Sequence, residues 1–173
     1  MSTTESNNKN VLIVYASNAG ATAEIATYIK TYLEGDALSV DMMDAHGAKT
    51  DLSKYDLIIL GSAIKGNFPN NRIIDFIRLN SIELNEKKTA VFAVCITITS
   101  SKENKRNVAF TYPDKIAFRL KPVSKAVFAG VAKSSGWFGN LMGKLKLGIV
   151  PGDYRDWDKI EQWADEIKKK LTD

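Results

Sequence analysis

The chain has one cysteine, Cys95, and one histidine, His46. A lone cysteine excludes an internal disulfide and any CxxC pair for zinc or thiol exchange. A lone histidine excludes every site that needs two imidazoles. No apolar run approaches the ~18–20 residues that a membrane span requires. The first ten residues are polar and lack the apolar core of a signal peptide. These absences point to a cytoplasmic protein, with residues 1–9 as a short flexible tail and residues 10–173 as one folded unit. Nucleotide-hydrolysis and dinucleotide signatures are missing too. There is no GxxxxGK[ST], and no GxGxxG follows a strand-like run.

What remains is an ordinary globular composition, 45% hydrophobic and 25% charged over 173 residues. At this size folding hides roughly 70% of the surface of the unfolded chain. Charge is where the balance departs from the average. Ten basic residues fall between positions 101 and 148, against only Glu103 and Asp114, so that stretch carries +8 and the rest −4 of a total of +4. A basic third on a mildly acidic domain favours an anionic partner for one face, set against a merely solvated lysine-rich surface. The candidates are an acidic protein, an anionic membrane surface or a carboxylate-bearing substrate. Nucleic acid is set aside, because no helix-turn-helix, zinc or RNP-type aromatic motif accompanies the charge.

Apolar runs and helical stripes alternate. Residues 11–16 (VLIVYA), 38–42, 56–60 (DLIIL), 89–96 (TAVFAVCI) and 124–131 read as strands, the first and fourth buried on both faces. Ile25, Ile29 and Leu33 lie four apart and mark a helix over 23–33. Pro69 suits the first turn of a second helix, with Ile73, Ile74 and Ile77 as its apolar side. Asp156 caps a last helix whose inner face is Trp157, Ile160, Ala164, Ile167 and Leu171, and Asp153 is assigned to the same cap. Five parallel strands with intervening helices make a doubly wound α/β sheet. Residues 99–123 and 132–155 exceed what minimal connections need, and long connections in compact domains are often functional.

Open α/β sheets bind ligands beyond the carboxyl ends of their strands. After the first strand stand Ser17, Asn18, Ala19, Gly20, Ala21 and Thr22, running into a helix. The hydroxyls of Ser17 and Thr22 can donate to phosphate oxygens, and Gly20 lets the backbone come close. The free N–H groups at the helix start add donors. An ordinary N-capped turn has the same residue types, and spacing alone does not separate the two. A phospho-receiver domain would need acids at the ends of the first and third strands, where this chain has Ser17-Asn18 and Gly61-Ser62.

The stretch VLIVYASNAGATAEIA (11–26) resembles the phosphate loop of the flavodoxin family, with Ala19 in place of a usual threonine donor. The resemblance continues through YDLIILGSAIKGN (55–67), TAVFAVCITIT (89–99) and GDYRDWDKIEQWADEI (152–167). It is nearest to the subgroup that contains the menaquinone-dependent protoporphyrinogen dehydrogenases. It implies a five-stranded parallel sheet of order 2-1-3-4-5 in a three-layer α/β/α sandwich. It also implies FMN, with phosphate on residues 17–22 and the ring between a loop of Ser62, Ala63, Ile64, Lys65, Gly66 and Asn67 and a loop of Thr97, Ile98 and Thr99. Gly66 is the candidate for a peptide that flips toward the ring on reduction, and Lys65 for a cation beside it. Cys95 is either a core residue or a ring contact. The second and third loops lack an obvious aromatic, which leaves Trp137 or Tyr112 to stack on the ring.

No acid–base pair or nucleophile near the expected site demands an enzyme, so no catalytic residue and no metal ligand is assigned. The leading expectation is a low-potential electron carrier between redox partner proteins, such as an acidic ferredoxin-like protein or a reductase complex. The alternative is a quinone-linked, flavin-dependent oxidoreductase of the protoporphyrinogen dehydrogenase type, with Arg106 and lysines receiving propionates. Trp137, Phe138, Leu141, Met142 and Leu145 recur at helical spacing. They fit core packing, a homodimer interface through 134–150, or a peripheral membrane contact. His46 reads as a surface residue.

Overall fold

The computed structural model describes residues 8–35, 37–45, 49–133 and 136–172, so His46 lies outside the described residues. The chain starts with β1 (Lys9–Ala16), α1 (Ala21–Leu33), β2 (Leu38–Asp44) and β3 (Leu57–Lys65). A two-residue arm, β4 (Phe68–Pro69), leads into α2 (Asn71–Leu79), α3 (Ser81–Glu86) and β5 (Lys88–Val94). A 3₁₀ turn (Ile96–Thr99) precedes α4 (Glu103–Ala109), α5 (Tyr112–Ile116) and β6 (Ser124–Phe128). The last third holds β7 (Val131–Ala132), α6 (Gly136–Leu147), β8 (Gly152–Asp153) and α7 (Trp157–Thr172).

The five long strands are parallel and run β2-β1-β3-β5-β6 across the sheet. This is the expected doubly wound order 2-1-3-4-5 once the short arm β4, which pairs antiparallel with β3, is left out of the count. Strand alternation sends Val11 and Ile13 to one face and Leu12 and Val14 to the other, so β1 is apolar on both sides. One face is covered by α1 and α7 through Ile25, Ile29, Ile160 and Ile167. The opposite face is covered through Ile73, Phe76 and Ile77 of α2, Leu84 of α3, and Tyr112 and Ile116 of α5. Trp163 of α7 donates its indole N–H to Ser124 Oγ at 2.8 Å and packs edge-on against Phe92 and Phe128.

Several local expectations change. β3 does not stop at Gly61-Ser62 but continues to Lys65, because Ser62 and Ala63 still pair with Ala93 and Val94. Pro69 belongs to β4, and α2 starts later, capped by Asn70, whose side chain accepts from Arg72 N at 3.0 Å. Asp156 does cap α7, accepting from Lys159 N at 3.1 Å. Asp153 does not; it lies in β8 and pairs with Arg155. The long 132–155 connection is a two-stranded ribbon, β7 with β8, carrying α6. On α6, Trp137, Leu141 and Leu145 are exposed, so these three do not pack on the domain core; the side chains of Phe138 and Met142 lie outside the described residues. Among the described residues no helix is long and apolar enough to cross a membrane.

Gly61 sits in the middle of the sheet opposite Phe92, whose ring lies across its Cα. A Cβ at Gly61 would clash with the edge of that fully buried ring, 2.1 Å from its nearest carbon. Gly61→Ala is expected to destabilise the fold by about 1–3 kcal/mol or more, the range for overpacking a core. Urea denaturation checks this as a lowered midpoint with an unchanged slope.

Candidate functional site

The register of the sheet brings the carboxyl ends of β1, β3 and β5 to one edge, with Ala16 beside Ser62 and Ala63 beside Val94. The loop after β1 turns sharply there. Gly20 has φ 101°, in the region that glycine enters without strain, and its N–H donates to Ser17 Oγ at 3.0 Å. The Ser17 hydroxyl therefore accepts locally and keeps its own proton to donate outward. Gly20 is the N-cap of α1 and, having no side chain, satisfies none of the helix's first N–H groups with one. The first-turn N–H groups thus stay available beside the side chain of Thr22, which is almost wholly buried.

Two residues of α2 and its cap hold this loop from below. Asn70 donates from its side-chain amide to Asn18 Oδ1 at 2.7 Å, and its backbone N–H donates to Ser62 Oγ at 2.9 Å. Arg72 donates to the Ser17 carbonyl at 2.7 Å and pairs with Asp44 at the end of β2. One short segment thereby ties together the ends of β1, β2 and β3. Sequence reasoning missed Arg72, because its only signal was a basic residue in a helix start otherwise read for its isoleucines.

Above the loop opens a cleft of about 370 Å³, within the usual range of ligand sites, about 300–1,000 Å³. Ser17, Asn18, Ala19, Ala21 and Thr22 line its floor, Ala63, Ile64 and Lys65 one side, and Cys95 the other. All nine were expected at the site. Val94, Ile96, Gly130 and Val131, which were not, complete the walls. Gly130 and Val131 lie just past β6, at the same sheet edge, so their position relative to the strand was the available signal. A second cleft of about 420 Å³ adjoins the first along Ile64, Lys65 and Ile96. It takes in the expected Gly66, Asn67 and Thr97, together with Lys105 and Val108.

Gly66 and Asn67 form a two-residue hairpin turn, both with positive φ, at 59° and 69°. Asn67 is held there by Tyr112, whose hydroxyl donates to Asn67 Oδ1 at 2.6 Å, and by Lys115, whose ammonium donates to its carbonyl at 3.0 Å. Three expected site residues face elsewhere. Ser62 is fully buried, and its hydroxyl donates to the Ala63 carbonyl and accepts from the Asn70 N–H. Ile98 packs on the core, and Thr99 Oγ1 donates to the Ile96 carbonyl. Tyr112 is fully buried too, so it cannot stack on a ring in the cleft. Trp137, the other candidate, lies on exposed α6 and lines neither cleft. The walls are aliphatic.

Among the described residues that line the two clefts there is no Asp, Glu or His, and the cations are Lys65 and Lys105. No group of His, Cys, Asp and Glu among the described residues could hold a metal ion. The arrangement sets hydroxyl and N–H donors at one end and apolar side chains along its length.

The model of the family described as "Flavodoxin domain" matches residues 12–142. The chain belongs to the flavodoxin domain family. Protoporphyrinogen IX dehydrogenase [quinone] of Escherichia coli K12 is 24% identical to it over 175 residues, spanning 94% of this chain and 96% of that one. Oxidised flavodoxin 1 from Bacillus cereus superposes on this flavodoxin domain with a TM-score of 0.62 at 23% identity, covering 93% and 98% of the two chains. An oxidoreductase from Corynebacterium diphtheriae gives 0.64 at 15% identity, covering 96% and 98%. At these identities the two solved structures speak for the fold.

Cys95 supplies a prediction of its own. Burial pushes its thiol up to about 11, against the opposing pull of the backbone N–H groups of Thr97 and Ile98. The folded thiol stays protonated at pH 8 and is expected to resist Ellman's reagent until the chain opens. On unfolding, the thiol returns to a value near 9, so the unfolded state releases its proton first as pH rises. Wild type should lose stability relative to Cys95→Ala between about pH 9 and 11, read by urea denaturation at each pH.

Proposed function

We propose that this flavodoxin domain binds FMN in the cleft above the β1–α1 loop and carries electrons between redox partner proteins. The observation that carries the reading is the join between a phosphate-type loop and an aliphatic slot at the carboxyl edge of the sheet. Family membership supports the same ligand. The residues fit it. Ser17, Thr22 and the backbone N–H groups around Gly20 would hold the phosphate. Ala63, Ile64, Cys95 and Ile96 would enclose the ring, and Lys65, Gly66, Asn67 and Thr97 would border it. Bound FMN supplies one- and two-electron redox chemistry, and the protein sets its potential.

The rest of the mechanism belongs to the chain. Asn70 and Arg72 keep the loop shaped before the ligand arrives, which removes ordering cost from binding. The aliphatic walls exclude water. Lys65 places a positive charge near the ring and favours added negative charge there by Coulomb attraction. Gly66, where a Cβ would meet nothing, leaves the turn free to reorient its peptide. Among the described residues no acid or imidazole lines the clefts to move a substrate proton, and electron transfer between proteins needs none. The basic 101–148 stretch would steer an acidic partner, mainly by raising the encounter rate.

A second reading has its own observation. The second cleft is lined by Ile64, Ile96 and Val108 with Lys65 and Lys105, which suits an apolar molecule bearing carboxylates. The E. coli dehydrogenase matches end to end. The two readings separate in one anaerobic experiment. Protoporphyrinogen added to the FMN-loaded protein is expected to leave the flavin absorbance unchanged. Bleaching that a quinone reverses, with porphyrin formed, would replace the carrier with a dehydrogenase.

The ligand assignment is tested by titrating flavin-free protein with FMN, which should saturate at one per chain. Thr22→Val should weaken FMN about tenfold, the cost of one hydrogen bond to a charged group. Lys65→Met is expected to shift the midpoint potential of bound FMN to more negative values by tens of millivolts. A potential unchanged by that substitution would remove Lys65 from the ring environment.

A further inference from the structure

The first turn of α1 carries a carboxylate where an anion site should have none. Glu24 is the fourth residue of the helix, and its Oε1 lies 3.5 Å from where a Cβ on Gly20 would stand. That oxygen therefore sits over the loop that would hold the phosphate. A carboxylate there competes with a bound phosphate for the positive end of the helix and repels it directly.

The structure answers this charge with one residue. Arg155 donates from Nη1 to Glu24 Oε2. Its Nε donates to Asp153 Oδ1 at 2.9 Å, and its guanidinium lies over the Trp157 ring, 4.9 Å from the centroid. The Arg155 side chain is 13% exposed, against 60% for Glu24, so the fixed member of the pair is the arginine. Its neighbour Tyr154 donates from its N–H to the carbonyl of Gly130, a wall residue of the cleft, at 3.2 Å. The β7–β8 ribbon is thereby anchored at the cleft wall and at the first turn of α1 together.

We infer that Arg155 is a positioning residue for anion recognition: it offsets the charge of the Glu24 carboxylate that stands beside the phosphate loop and fixes where that carboxylate sits. The inference deepens the FMN reading and rests on it. It makes the discrimination between a phosphorylated flavin and its unphosphorylated form depend on a residue at the far end of the chain, 131 positions away from its partner. Removing the arginine while leaving Glu24 frees a negative charge against the phosphate. Removing both returns the cluster of Glu24, Asp153 and Arg155 to its wild-type net charge, with Asp153 remaining.

The experiment measures FMN and riboflavin affinities side by side, by quenching of flavin fluorescence at low ionic strength. The ratio of the two affinities reads the phosphate alone. Arg155→Gln is expected to lower the FMN-to-riboflavin ratio about tenfold, Glu24→Gln to raise it or leave it unchanged, and the double variant to restore it to the wild-type value. Arg155→Lys, which keeps the charge, should retain most of the ratio. Equal weakening of both flavins by Arg155→Gln, or no restoration in the double variant, overturns the inference and leaves Arg155 a structural clasp. If wild type binds neither flavin, the FMN reading fails by itself. Thermal stabilisation by inorganic phosphate then decides the role of Arg155. Stabilisation that Arg155→Gln weakens and the double variant regains upholds it; an absent effect in wild type, or one indifferent to Arg155, overturns it.

Discussion

The Ser17 carbonyl accepts a hydrogen bond from Arg72, and Asn18 accepts one from Asn70. This clasp is the constraint on which the candidate site depends. A loop that presents N–H groups to an anion has those groups unsatisfied when empty, and tends to collapse onto itself. Here the carbonyl side of the loop is fixed from beneath by α2, and Ser17 Oγ takes up one inward N–H. The remaining donors are left facing one way. Because Asn70 also reaches Ser62 Oγ, the loop after β1 and β3 are tied to the same residue. A ligand lying across both would meet a preformed surface.

The fold itself follows from composition along the strands. Residues 11–16 and 90–96 are near-continuous apolar runs, and a sheet covered on both faces satisfies them. Helices with one isoleucine stripe each then have one place to go. The order of the strands was implied by the resemblance to the flavodoxin family, while the five long strands themselves and the cap at Asp156 were legible in the residues. They rest on local patterns of two, three or four residues that retain their meaning in the folded protein.

What sequence reading missed is nonlocal. Arg72 is one of 24 basic residues until the ends of β1 and β2 meet it. Arg155 and Glu24 join only because the last helix lies beside the first. The turn at Gly66-Asn67 was read as a loop starting at Ser62, since nothing in the sequence says that β3 keeps pairing with β5 through Ala63. Tyr112 looked free to stack on a ring because an aromatic in a long connection has no periodicity to mark it as core, yet it is fully buried under the hairpin turn.

FMN in this cleft requires the β1–α1 loop to hold its phosphate. The phosphorus-31 resonance of FMN, followed with pH in the presence of the protein, reads this at the atom concerned. Free phosphomonoesters gain a proton near pH 6. A phosphate held by N–H and hydroxyl donors at a helix start is favoured as the dianion. The account predicts a shifted resonance that stays constant between about pH 5 and 8. A bound resonance that titrates as free FMN does would contradict it.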